Sequence, residues 1–185
     1  ERFELALSRK SVRKLSGGQA AVLSASIALA SGAPLTLLDE IQAPLDVPTR
    51  YALYEEILAL AGECMEGKRP RRCFLISSHM VSELEKVAEE VIVLKKGELL
   101  AHESIDDFAC RVSALTGHAS DVERFLAAHP DLAVIASREL GSTREIVVDL
   151  RGGTVGDTEL ASHSLTSSPC SFQDAFAYLI QENDQ

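Results

Sequence analysis

Three short strings in this 185-residue chain carry residue types suited to phosphate chemistry. The first is Leu15-Ser16-Gly17-Gly18-Gln19, directly ahead of an Ala- and Leu-rich stretch. A serine followed by two glycines lets the backbone come close to a ligand. A helix starting there would aim unpaired N–H groups and the positive end of its dipole at an anion, best a phosphate. The plain alternative is that Ser16 is an N-cap and the glycines a loop. The second string is Leu35-Thr36-Leu37-Leu38-Asp39-Glu40. Adjacent carboxylates at the C-terminal end of a short apolar run sit where open α/β sheets bind ligands. The first suits Mg²⁺, which chooses carboxylate oxygen, and the second can orient or deprotonate an attacking water. A solvated acidic pair is the alternative. The third is Ser77-Ser78-His79, again after an apolar run, where an imidazole can reach a terminal phosphate or simply cap a helix and face water.

The elements that must position these strings alternate in type. Ala20 to Ala30 is apolar on every side, which predicts a helix covered all round, stopped by Gly32 and Pro34. Leu35 to Leu38 and Cys73 to Ser78 predict parallel strands covered on both faces. Between them Pro48 to Ala61 predicts an amphipathic helix, with Pro48 in its first turn. Met80 to Glu89 predicts a further helix, with Ser82 and Glu85 spaced as a capping box. Glu90–Leu94 and Glu98–Ala101 flank Lys95-Lys96-Gly97 as a hairpin, with glycine where positive φ is wanted. Helix and strand in alternation make this part α/β.

Beyond Ser104 the texture changes. Residues 1–104 carry 13 Lys/Arg and 15 Asp/Glu, a net of −2; residues 105–185 carry 5 and 13, a net of −8. Strands are expected at Arg111–Leu115, Ala133–Arg138 and Glu145–Leu150, and helices at Asp121–Ala128 and Ser171–Gln181, forming a small α+β appendage. A domain boundary is placed near Ser104. The whole-chain charge of −10 argues against a partner gripped through bulk positive charge, so no nucleic-acid partner is expected. No apolar run reaches the roughly 18 residues of a membrane span. Cys64, Cys73, Cys110 and Cys170 form no CxxC pair, which excludes zinc-ribbon and thioredoxin-type motifs and predicts reduced, mostly buried thiols.

Taken together, the three strings resemble the ATP-binding subunit of ABC (ATP-binding cassette) transporters. Leu15 to Gln19 reads LSGGQ, the family's signature, and Leu35 to Glu40 matches its Walker B strand. Ala43-Pro44-Leu45-Asp46 falls at the D-loop, His79 at the switch histidine, and the hairpin around Gly97 resembles the family's finish to the nucleotide-binding domain. Ser171 to Phe176 is similar to the closing helix of several bacterial exporter subunits. The resemblance implies a partial P-loop NTPase-like domain with a parallel sheet over residues 1–104 and an accessory domain over 105–185. It implies an ATPase in which Asp39 serves Mg²⁺ and Glu40 and His79 are catalytic. Ser16, Gly17, Gly18, Gln19 and Asp46 would contact ATP across a head-to-tail dimer with a second nucleotide-binding subunit. It further implies transmembrane permease subunits as partners and a cytoplasmic, membrane-peripheral location, with export favoured.

The sequence also departs from the family pattern. Ile41 stands where Pro usually follows the glutamate, Ala20-Ala21 where a basic residue is common, and Pro44 is unusual in the D-loop. The phosphate loop, adenine-contacting aromatic and Q-loop of the family precede the signature, so the chain is expected to be a C-terminal piece, inactive alone, starting at Glu1 in mid-helix. Gly62 to Lys68 imitates the phosphate loop as GxxxxGK, but Arg69 follows where Ser or Thr is needed, in helix–loop–strand context. Two other readings stand beside the transporter. One is a non-catalytic interaction module on the same scaffold. The other is a DNA-maintenance ATPase, disfavoured by the absence of heptads and of basic surplus.

Overall fold

A computed structural model describes residues 12–151, 153 and 155–182; the expected helix at Glu1 lies outside the described residues. The chain divides into two compact units, Glu1–Val87 and Ala88–Gln185.

In the first unit a short 3-10 turn, Val12–Lys14, leads to helix α1, Gly17–Ala30. Ser16 and Gln19 close a capping box: the Ser16 Oγ accepts the Gln19 N–H at 3.2 Å and the Gln19 Oε1 accepts the Ser16 N–H at 3.2 Å. Two orphan donors of the first turn are thereby satisfied. Strand β1, Leu35–Asp39, is followed by helix α2, Val47–Met65, and strand β2, Cys73–Ser77. β1 and β2 pair in parallel with Leu35 opposite Cys73 and Asp39 opposite Ser77. The unit is α/β, as the alternation of elements requires. Arg72 ties its layers: it donates to the Leu29 and Ala33 carbonyls at 3.0 Å each, a cation at the exposed carbonyl end of α1.

The core of this unit joins Ala21, Val22, Ala25 and Leu29 of α1 to Leu38 of β1 and Leu53, Ile57 and Leu60 of α2, with Phe74 and Ile76 packed against them. Each fully buried large side chain in such a core contributes about 1.5–3 kcal/mol. Cover on every side is not observed among the described residues. Leu35, Leu37 and Leu75 on the opposite sheet face are 54%, 63% and 49% exposed, and Ile27 of α1 is 62% exposed. α1 and α2 share one core with the Leu38 side of the sheet, and residues alternate across a strand, so every second side chain faces away from that core. The helix expected over Met80–Glu89 shrinks to α3, Val81–Leu84. No side-chain cap forms, and Ser82 lies inside the helix instead of at its start. Only Val81 is buried in it, and a segment so short cannot hold a helix by propensity alone.

The second unit opens with the expected hairpin, β3 (Glu90–Lys95) and β4 (Glu98–Ser104). Lys96 at φ 51° and Gly97 at φ 85° form its turn, the left-handed pair that twists with the flanking strands. Ser104 then caps helix α4, Ile105–Arg111, by accepting the Asp107 N–H at 3.0 Å, so the chain runs through Ser104 as continuous structure. The compact division falls between Val87 and Ala88, and the hairpin groups with the second unit.

Next come β5 (Val112–His118), α5 (Ala119–Ala128), β6 (Ala133–Leu140), β7 (Thr143–Asp149), α6 (Asp157–Ser162), β8 (Thr166–Pro169) and α7 (Phe172–Glu182). The four strands lie in the order β6-β7-β5-β8, every neighbour antiparallel. A β-α-β-β-α-β run with that order is the ferredoxin-like split βαβ arrangement. One core holds Leu115, Val122, Phe125, Ile146, Val148, Leu160 and Leu165. Phe108 of α4 meets Phe172 of α7 with ring centroids 5.0 Å apart. The Arg111 side chain, 12% exposed, bonds Asp149, 1% exposed, through two nitrogens at 2.8 and 2.9 Å. α4, α6 and β8 were not legible in the sequence; two are short helices, and β8 reads Thr-Ser-Ser-Pro without an apolar residue.

All four cysteines are free, but only Cys64 is buried; Cys73 and Cys110 are exposed and Cys170 is half-buried. The expectation of mostly buried thiols is corrected accordingly. Cys73 is the first residue of β2, on the same uncovered sheet face as Leu75.

Candidate functional site

Parallel register places the C-terminal ends of β1 and β2 side by side, and with them Asp39 and Ser77. The Ser77 hydroxyl donates to Asp39 Oδ1 at 2.5 Å and accepts the Glu40 N–H at 2.9 Å. One hydroxyl thus fixes both members of the acidic pair. Glu40 has φ 45°, a left-handed backbone that a non-glycine residue adopts at a cost of about 1–3 kcal/mol. The turn swings the Glu40 side chain toward His79, whose Nδ1 lies 2.7 Å from Glu40 Oε2. A carboxylate has only lone pairs to offer, so Nδ1 carries the proton in that bond. Both side chains remain open to solvent, at 69% for His79 and 43% for Glu40.

The loop from Glu40 to Asp46 then runs back past α1. A Cβ added to Gly18 would stand 3.0 Å from the Pro44 carbonyl oxygen, and one added to Gly17 would meet Pro44 Cβ at 3.8 Å. Gly18 therefore serves close approach to this loop, while Gly17 leaves room for an ordinary contact. Asp46 caps α2, its Oδ1 accepting the Thr49 N–H at 3.1 Å. The side-chain and backbone hydrogen bonds of Thr49 hold its carboxyl below the usual carboxylate range.

Of the residues singled out in the sequence, Asp39, Glu40 and His79 come together in one hydrogen-bonded group, and Ser16, Gly17, Gly18 and Gln19 form the capped first turn of α1. Asp46 stands at the far end of the loop that Glu40 begins. Sequence reasoning missed Ser77, read there only as part of a string leading to His79. Its signal was positional: it ends the second apolar run as Asp39 ends the first. Gln42 was missed as well. It is fully buried and donates from Nε2 to the Ser77 carbonyl at 3.1 Å.

The Asp39 carboxylate meets a first requirement for a hard divalent cation. One oxygen takes the Ser77 hydroxyl, and a carboxylate has lone pairs on both oxygens to offer. Mg²⁺ commonly takes one or two carboxylates from protein and fills its remaining positions with water and phosphate oxygen. Among the described residues, no three His, Cys, Asp or Glu side chains gather as a metal cage.

No protein-family model matches the chain. An uncharacterized ABC transporter ATP-binding protein of Nostoc sp. is 31% identical over 99 residues, 54% of this chain and 28% of that protein. The choline transport ATP-binding protein of Bacillus subtilis is 30% identical over 123 residues, 60% of this chain and 31% of that protein. The chain carries part of an ABC ATPase domain. A Nod factor export ATP-binding protein of Neorhizobium galegae is 32% identical over 90 residues, 49% of this chain and 24% of that protein. The matched stretch thus spans about a third or less of these ABC relatives. No helix among the described residues is long and apolar enough to cross a membrane.

Proposed function

We propose that the chain is part of the ATP-hydrolysing subunit of a bacterial-type ABC transporter, using ATP and Mg²⁺. The observation that carries this reading is the contact of Glu40 Oε2 with His79 Nδ1 at 2.7 Å, beside Asp39 on the neighbouring strand end. Glu40 orients an attacking water and accepts its proton, a role usually worth 10²–10⁴ in rate. His79 donates Nδ1–H to Glu40, and its exposed Nε2, a second donor in the imidazolium form, faces the transferring phosphate. Asp39 is the carboxylate for Mg²⁺, which when bound neutralises charge on the phosphate oxygens. Ser16, Gly17, Gly18 and Gln19 present the start of α1 to the γ-phosphate of ATP held by a second nucleotide-binding subunit, head to tail, and Asp46 lies in the same interface.

By motif, residues 1–104 supply the signature, Walker B, D-loop and switch histidine, and residues 105–185 act as an accessory domain. Transmembrane permease subunits would convert dimer closure and reopening into solute movement. That places the protein at the cytoplasmic side of the cell membrane. Export is supported by the similarity of Ser171–Phe176 to exporter subunits and by the Nod factor export protein of Neorhizobium among the relatives.

The test is Glu40→Gln in the full-length protein. ATP binding is expected to persist while turnover drops at least about 100-fold. Wild-type turnover in that variant would remove Glu40 from the chemistry.

A further inference from the structure

A largely buried polar cluster holds the segment that follows His79. Arg50, one turn after the Asp46 cap of α2, is 8% exposed, with Nε 3.1 Å from Glu83 Oε2 and Nη1 2.9 Å from the sulfur of Met80. Tyr54, one turn further along α2 and 4% exposed, donates its hydroxyl to the same Glu83 oxygen at 3.2 Å. Burial, followed by the Glu83 charge, pushes the Tyr54 hydroxyl up to about 12, so it remains a donor throughout the working pH range. Met80 is the residue after His79, and Glu83 lies within the four-residue helix α3.

α3 cannot fix its own position. It has no side-chain cap, Met80 enters it at φ −93° and ψ 68°, and four residues lie far below the length at which a helix sustains itself. Contacts reaching it and its entry from α2 include those of Arg50 and Tyr54. On the near side Gln42 grips the Ser77 carbonyl, two residues before His79. The imidazole is therefore bracketed, with α2 holding one flank and the loop after Glu40 holding the other. Both anchors belong to the segment that runs from Glu40 through Asp46 into α2.

We propose that Arg50, acting with Glu83 and Tyr54, is a positioning group for His79, setting the place at which its imidazole meets Glu40. A buried ion pair is a poor source of stability, because apolar residues of similar volume commonly serve as well or better. A fixed geometry is what the pair supplies that an apolar replacement would not. The guanidinium spans Met80 on one side and Glu83 on the other, so both ends of the α3 entry are held from one point on α2. The consequence for turnover rests on the ATPase reading above; the consequence for the imidazole does not.

The two effects separate in Arg50→Met, Glu83→Met and the double variant of the full-length protein. Each single change leaves the partner's charge unpaired in a largely water-excluded place and is expected to lower the melting temperature. The double change removes both charges together and is expected to recover most of that loss. Three readouts follow: melting temperature, ATP turnover with its kcat and KM, and the ring nitrogen shifts of His79 in protein labelled with ¹⁵N-histidine. The His79 signal is assigned by its loss in His79→Ala.

The double variant is expected to regain stability yet lose the Nδ1–H signature of the bond to Glu40. Its kcat should fall about 10- to 100-fold, the range for a misplacement near 1 Å, with KM for ATP within about twofold of wild type. A stable double variant with wild-type ring shifts overturns the proposal, because the cluster would then be structural filling only. Should the double variant not fold, Tyr54→Phe decides by the same ring signature: partial loss supports the proposal and an unchanged spectrum refutes it. Absence of ATP turnover in the wild-type protein would remove the ATPase reading while the ring shifts still settle the role of Arg50.

Discussion

Gly17 and Gly18 both open α1 but face different atoms of Pro44, so a matched pair of alanine substitutions measures one contact. Both are the opening residues of α1, and neither has a positive φ. Alanine at either position restricts the unfolded chain and improves helix propensity, a gain of about 0.4–1 kcal/mol. At Gly17 the new methyl meets Pro44 Cβ at 3.8 Å, ordinary contact that leaves the gain intact. At Gly18 it meets the Pro44 carbonyl oxygen at 3.0 Å. A backbone carbonyl cannot rotate aside as a side chain would, so the loop or the helix must shift. Overpacking of this kind costs about 1–3 kcal/mol.

Gly17→Ala is therefore expected to be stabilising by about 0.5 kcal/mol and Gly18→Ala to be destabilising by about 0.5–2.5 kcal/mol. The difference between the two variants, about 1 kcal/mol or more, isolates the close contact with the Pro44 carbonyl oxygen. In a unit of this size 1 kcal/mol moves the melting temperature by about 4–8 °C. Tyrosine fluorescence follows the right unit, since the chain has no Trp and Tyr51 and Tyr54, two of its three tyrosines, lie in α2. Urea titrations of the two variants under that probe give the comparison directly. Equal stabilisation by both would mean that Gly18 does not touch the loop between Glu40 and Asp46, and the link drawn between the α1 turn and the acidic pair would fail.

Ser77→Ala removes the hydroxyl shared by Asp39 and Glu40; a stability loss of about 1 kcal/mol and a larger fractional drop in ATP turnover are expected, and unchanged turnover would show that the pair needs no such brace. Asp149→Asn removes the buried carboxylate from Arg111, which keeps Glu103 at 2.6 Å, and should cost about 1.5–3 kcal/mol in chemical denaturation. Burial works to raise the Asp149 carboxyl, but the hydrogen bonds and charge of Arg111, with Arg151, hold it below the ordinary range. Its folded value is depressed, so its stabilisation is complete above about pH 4 and is lost as pH falls through the folded value. An Asp149→Asn variant whose stability keeps the wild-type acid slope would contradict this. His129 runs the other way: its Nδ1 bond to the Phe125 carbonyl, then the Glu159 carboxylate, raises its value. The stabilisation it gives is full below about pH 6.5 and fades as pH rises through the folded value. Melting profiles of His129→Gln between pH 5.5 and about 8.5 should lose that slope.

Local signals settled much of this protein. Ser16 and Gln19 stand three apart, so the capping box at α1 follows from spacing alone, and Lys96-Gly97 between apolar runs dictates its hairpin. The ends of β1 and β2 were legible because continuous apolar runs stop at Asp39 and Ser77. The sequence also identified the chemistry-bearing types, since carboxylate pairs, imidazoles and paired glycines announce themselves without coordinates. What it could not show is which groups touch. Ser77 bridges Asp39 and Glu40 only because β1 and β2 pair in one register, and a register is a relation between segments more than thirty residues apart. The cluster of Arg50, Tyr54, Met80 and Glu83 is of the same kind: two of its members lie on α2 and two at α3. The failed helix over Met80–Glu89 has a related cause: the Ser82 and Glu85 spacing is a local signal, but no cap forms and only Val81 of α3 is buried. Ferredoxin-like order in the second unit likewise depends on β8, whose polar residues give no periodic signal and which is a strand only because β5 offers it an edge. Hydrogen bonds along one helix or turn are written in neighbouring letters, whereas those between strand ends exist only after the chain has folded.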